Sequence, residues 1–235
     1  MCIFYTEEGI DIPNLYTKQL STQLIKKKMQ IELYGGGMTV ELPEGVIDAS
    51  EFREIPDTQE VYVTASNNTE DYNSPNKEDS IITDLLQKVE SVSNDEAILF
   101  HLNEIAKLNG DEEGKNWKLL FESKVHPTNF STDPSYLSIA VQPAKKWGRD
   151  KDSTVLVLII CLIRIERVQT DFLITYNIPI SSQQELEDLK KLENLQDGDG
   201  TVGNLAYKRI KYGQKVVDKM IETVKVIHWD LFGEQ

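Results

Sequence analysis

The sequence predicts an α+β fold: an α/β/α sandwich whose central, largely antiparallel sheet of about six strands is covered by helices on both faces. Three observations carry this expectation. Residues 155–165 are rich in β-branched side chains and apolar on both faces, the pattern of a strand covered on two sides. Phe172, Ile174, Tyr176 and Ile178 alternate with other residues, and the link 166–170 is too short for a crossover helix, so these two strands pair antiparallel. Stretches with helical spacing fall in the middle of the chain and at its end, where they can cover the sheet.

Bulk properties narrow the function. The chain has 235 residues, with 39 acidic against 25 basic side chains and a net charge of −14. This balance argues against nucleic-acid binding, which needs a clustered basic face, and against direct contact with an anionic membrane surface. Two cysteines, Cys2 and Cys161, supply neither a disulfide framework nor metal-ligand spacing, so a reducing compartment is expected, cytosol or nucleus. Glu7, Glu8 and Asp11 stand where a signal peptide would need bases. The apolar run 155–163 falls well short of the ~20 residues that a spanning helix requires.

Taken in order, residues 1–28 show neither period and carry the short basic cluster Lys26, Lys27 and Lys28; they read as a weakly ordered extension, with Met29 a candidate start. The length allows one large domain or two small ones. Ile31 and Leu33, then Met38, Val40 and Leu42, alternate about Gly35, Gly36 and Gly37, which predicts a hairpin. Asp48 followed by Glu51 predicts a capped helical turn ended by Pro56. A strand is expected over 60–65, with Val61 and Val63 on one side and Glu60, Tyr62 and Thr64 on the other. Polar residues 66–80 predict a loop, and Ile82, Leu85, Leu86 and Val89 suggest a helix. Asn94 is the expected cap of a second helix bearing Ile98, Leu102 and Ile105, which stops at Gly110. Strands are expected around 117–121, 137–141, 155–165 and 172–178, the last closed by Pro179. Residues 185–195 read as a charged helical insert. Ala206, Ile210, Gly213, Val217 and Val224 mark a long terminal helix whose polar face carries Lys208, Arg209, Lys211, Lys215 and Lys219. Trp229, Leu231 and Phe232 should pack on something apolar.

Enzyme signatures fail on their surroundings. Residues 198–203 match G-x-G-x-x-G, but no buried strand precedes them and Asp199 would repel a pyrophosphate. As a calcium loop, the segment has Val202 where glycine is needed and Lys208 where a glutamate is needed. His101, His126 and His228 have no partner at metal-ligand spacing, and no G-x-S-x-G nucleophile turn occurs. The expectation is a protein without an active site, cofactor or metal.

The densest signal is acidic. Between positions 41 and 71 nine acidic residues face a single base, Arg53, a local net charge of −8. Glu41 and Glu44 read as solvated hairpin residues, and Asp48 and Glu51 as capping groups. Asp57 and Glu60 remain, able to present two carboxylates to one side, about 5–6 Å apart if the turn is helix-like. In the alternative reading Asp57 fixes its own turn and Glu60 merely faces water.

The same stretch resembles the Mog family of Ran-GTPase-binding nuclear import factors. L-Y-G-G at 33–36, P-E-G-V-I-D-A-S at 43–50 and R-E-I-P-D-T-Q-E-V at 53–61 carry the resemblance, with L-I-R-I-E-R-V-Q-T-D-F-L-I-T-Y-N at 162–177 and H-W-D-L-F-G at 228–233. It implies the same sandwich as one domain over 29–235, of Mog-like or PsbP-like type. It also implies a protein that binds Ran and promotes guanine nucleotide release by differential binding, in nucleus and cytoplasm; a monomer is the default expectation. Asp57 and Glu60 map onto the acidic residues implicated in Ran binding, with Arg53 and Glu54 flanking them. The competing expectation is an adaptor that escorts a membrane or transport protein without affecting nucleotide.

Overall fold

A computed structural model describes residues 29–64, 72, 74–145, 153–193, 195 and 202–233. The proposed extension 1–28, residues 66–71 and 73 of the expected loop and residues 198–201 of the glycine motif lie outside the described residues. Strands β1 (Met29–Leu33) and β2 (Met38–Leu42) form the expected hairpin. There follow β3 (Val46–Asp48), β4 (Gln59–Thr64), β5 (Ser80–Gln87), helix α1 (Ala97–Leu108), β6 (Lys118–Lys124), β7 (Ser135–Lys145), β8 (Ser153–Ile165) and β9 (Thr170–Ile180). Helices α2 (Gln183–Lys190) and α3 (Leu205–Thr223) and the short strand β10 (Lys225–Val226) complete the described elements. A seven-stranded sheet runs in the order β3-β4-β5-β9-β8-β7-β6, and a small sheet runs β1-β2-β10. Every pairing is antiparallel. The class is α+β as expected, with seven strands in the main sheet rather than six.

The central strand explains the layering. On one face of β8, Val157, Ile159, Cys161 and Ile163 join the cluster that contains α3 and the β1–β2 hairpin. On the other, Leu156, Leu158, Ile160 and Leu162 pack with Ile98, Leu102 and Ile105 of α1. Alternate residues of one strand therefore build two cores, and burying each Leu or Ile side chain contributes roughly 1.5–3 kcal/mol. Helix α3 comes so close that a Cβ on Gly213 would lie 2.7 Å from Ile159 Cδ1.

Several expectations need correction. Ile82, Leu85 and Leu86 belong to β5, a strand paired with β4 on one side and β9 on the other. Apolar residues on both faces of a buried strand also satisfy a helical spacing, so periodicity misled here. Asn94 does not cap α1; its Oδ1 accepts from Arg164 at 2.8 Å. Pro179 does not end β9, which continues to Ile180. Arg209 leaves the basic face of α3: it is buried and pairs with Asp79 at 2.5 Å and Glu185 at 3.2 Å.

Candidate functional site

The acidic segment is clamped at both ends. Asp48 Oδ1 accepts from Ser50 N–H at 2.8 Å and starts a 3-10 turn over Ala49–Glu51. Ala49 is fully buried against Val61 and Ile82, with Ile55 packed on the same cluster. Phe52 and Arg53 both donate their amides to Ala49 O at 3.1 Å. Pro56 O then accepts from Gln59 N–H at 2.8 Å, which closes a reverse turn carrying Asp57 and Thr58. Gln59 opens β4 and donates its side-chain amide to Asp84 Oδ1 at 2.5 Å. Glu54 and Asp57 are exposed on this rigid frame, while Arg53 and Glu60 are half-buried. Neither Glu54 nor Asp57 has a side-chain hydrogen bond or ion pair among the described residues.

Asp57 and Glu60 are near in sequence but differ in setting. Asp57 sits in the turn and Glu60 three residues after it, in the strand, so the helix-like spacing of the pair is not what forms. Alternation along β4 sends Gln59 and Val61 to one face and Glu60 and Tyr62 to the other. There Glu60 Oε1 accepts a hydrogen bond from the backbone N–H of Tyr34. The Tyr34 hydroxyl in turn donates to Thr83 Oγ1 at 2.8 Å. Tyr34 reaches this position through a left-handed backbone run, with φ of 52° at Tyr34, 63° at Gly35 and 92° at Gly36. Glycine at two of the three positions limits the strain of that run.

Burial pushes the Glu60 carboxyl above its ordinary range, and the charge of Asp48 pushes the same way; the Tyr34 amide only partly offsets them. Burial also raises Tyr62, again helped by Glu60 and Asp48. Burial lowers the Arg53 guanidinium. A carboxylate disfavoured by burial and a like charge is one that an incoming lysine or arginine stabilises. The arrangement can therefore receive cations at two points, one solvated at Asp57 and one shielded at Glu60.

Sequence reasoning missed the role of Tyr34, whose contribution is a backbone amide, and the reach of Asp48 to Glu60. The signal for the first was the L-Y-G-G run, since consecutive glycines permit the turn that aims the amide. The nearest thing to a catalytic pair elsewhere is His101 Nε2 at 3.0 Å from Asp171 Oδ2. Asp171 also accepts from Arg164 Nε at 2.9 Å and Val89 N–H at 3.1 Å, and the group is sealed in the core. Among the described residues no cluster of three or more His, Cys, Asp or Glu could hold a metal ion. No helix among them is long and apolar enough to cross a membrane.

Comparison with known proteins gives concordant matches. The family profile described as Ran-interacting Mog1 protein matches residues 31–179. The chain is 35% identical over 156 residues to nuclear import protein MOG1 of Saccharomyces cerevisiae, covering 66% of this chain and 68% of that one. It is 29% identical over 155 residues to the Ran guanine nucleotide release factor of Danio rerio, covering 65% and 79%. Among solved structures, the Saccharomyces cerevisiae Ran-binding protein Mog1p superposes with a TM-score of 0.69 at 29% identity, over 88% of this chain and 99% of that one. A Mog1 point mutant gives 0.68 at 28% identity, over 88% and 100%.

Proposed function

The chain belongs to the Mog1 family of Ran-interacting proteins, and from that premise we propose that it binds the small GTPase Ran and promotes release of Ran's guanine nucleotide in support of nuclear protein import. The observation that carries the reading to particular residues is the rigid acidic turn, with Asp57 exposed and Glu60 half-buried beside it. Arg53 and Glu54 flank these two as secondary contacts. Residues 29–235 act as one Ran-binding domain and as a monomer, working in nucleus and cytoplasm.

No catalytic group is required. A GTPase holds its nucleotide's phosphates through a lysine and a magnesium ion. An acidic surface that engages basic residues near the nucleotide, or competes for that lysine, favours the nucleotide-poor state. By reciprocity the nucleotide then weakens binding of the acidic protein. The test is to time the loss of fluorescent GTP from Ran with and without the protein. Faster release is expected. An unchanged rate, with Ran still bound, would leave an adaptor rather than a release factor.

A further inference from the structure

We propose that the segment 227–232 positions Glu60 for its partner, acting through the seat of Leu231 on Gly37 and the amide of Tyr34. This rests on the Ran-binding reading for the identity of the partner, but not for the coupling itself. The segment leaves β10 and folds back over the hairpin turn: Ile227 and His228 donate their amides to Gly37 O at 2.8 and 3.1 Å. A 3-10 turn over Trp229–Phe232 then places Leu231 directly under Gly37. Arg167 lies over the Trp229 ring at 4.3 Å from its centroid, which fixes the segment from its other side.

The contact at Gly37 leaves no room. A Cβ there would meet Leu231 Cδ2 at 2.9 Å, Cβ at 3.1 Å and Cδ1 at 3.2 Å. Because the Leu231 Cβ is among these atoms, rotating its side chain cannot clear the space. Gly37 itself has φ −62° and ψ −29°, which any residue adopts, so its requirement is steric rather than conformational. Its amide donates to Tyr34 O at 3.2 Å, which closes the turn that aims Tyr34 N–H at Glu60. The path is therefore continuous: Leu231 supports Gly37, Gly37 closes the turn, and the turn holds the carboxylate. Leu231, Gly37 and Tyr34 are positioning residues, and Glu60 is the group that meets the partner.

The experiment compares Gly37→Ala, Leu231→Ala and their combination by two readouts. The first is the pH titration of the Tyr34 amide proton signal in the free protein, which follows ionisation of a hydrogen-bonded Glu60. The second is Ran affinity by calorimetry. Gly37→Ala should flatten the Tyr34 titration and weaken Ran binding by about tenfold or more, as for loss of a charge-assisted hydrogen bond. Adding Leu231→Ala should recover part of both, because Cδ1 and Cδ2 are removed while the Leu231 Cβ, at 3.1 Å, stays. In a Glu60→Gln background Gly37→Ala should cost no further affinity. Should Gly37→Ala not fold, Leu231→Ala alone still reads the coupling through a weakened Tyr34 titration. An unchanged titration in both single variants, or the same affinity loss with Glu60 already replaced, would overturn the proposal. If the wild type did not bind Ran, the Tyr34 titration would still decide the coupling, and only the identity of the partner would fall.

Discussion

Two kinds of carboxylate occupy this protein, and their difference separates structure from recognition. Asp171 and Asp79 are buried and answered from within: Asp171 by Arg164, His101 and the Val89 amide, Asp79 by Arg209, the Tyr176 hydroxyl at 3.0 Å and the Asn76 amide at 2.9 Å. Burial by itself would raise Asp171, yet the bonds from His101, Val89 and Arg164 outweigh it and hold the group below its ordinary range. In the acidic turn, Asp57 is solvated with no such partner, and Glu60 has a single amide and stays raised. Closed networks tie elements together: Arg164 and Asp171 bind the β8–β9 corner to the end of β5 and to α1, while Asp79, Arg209 and Glu185 bind β5 to α3 and α2. The open turn makes one such tie, from Glu60 to the Tyr34 amide, and the rest of its charge is available to another molecule.

The comparison breaks most visibly at Arg164. Replacing it with alanine takes the guanidinium from Asp171 and leaves that buried carboxylate only His101 and the Val89 amide, and denaturant unfolding should show a loss of about 3–5 kcal/mol. Ran affinity per folded molecule should be unchanged. Asp84 gives the next effect, with the opposite sign. It is fully buried, one oxygen accepts from Gln59 and the other has no partner, and burial pushes its carboxyl up to about 6 from an ordinary 3.8. The folded protein therefore holds a proton that the unfolded chain releases, so this group's contribution is present at low pH and is lost as pH rises through about 6. Asp84→Asn should raise stability at pH 8 by up to about 3 kcal/mol, a gain that fades on acidification in pH-dependent melts.

Asp57→Ala should do the reverse of Arg164→Ala. Stability should stay within about 0.5 kcal/mol, as for ordinary surface substitutions. Ran affinity should fall about tenfold, and most of that loss should vanish at high salt, where exposed charges are screened beyond a few ångströms. Lys107→Ala supplies the smallest expected effect. It breaks an exposed ion pair with Glu104 at 2.5 Å, and should change neither Ran affinity nor stability by more than about 0.5 kcal/mol.

How much of this was legible beforehand follows physical lines. The central strand, its antiparallel neighbour, the hairpin and α3 were readable because each carries a pattern that only one element type satisfies over its length. The β5 strand was not, since Ile81, Ile82, Leu85 and Leu86 fit two periods, and only pairing with β4 and β9 settles the choice. Arg209 looked solvated because it neighbours four lysines on α3; its acids, Asp79 and Glu185, are remote in sequence. At the candidate site the acidic turn was visible from charge, and its link to Ran came from resemblance. The hold of Tyr34 on Glu60 was invisible, because a backbone amide has no letter of its own in a sequence.

The contrast between closed and open carboxylates is tested most directly by calorimetric titration of Ran into the Asp57→Ala/Glu60→Ala double variant, after its unfolding midpoint has been matched to wild type. Binding should be abolished while the fold stays intact. Wild-type affinity in that variant would remove the acidic turn as the Ran-binding site.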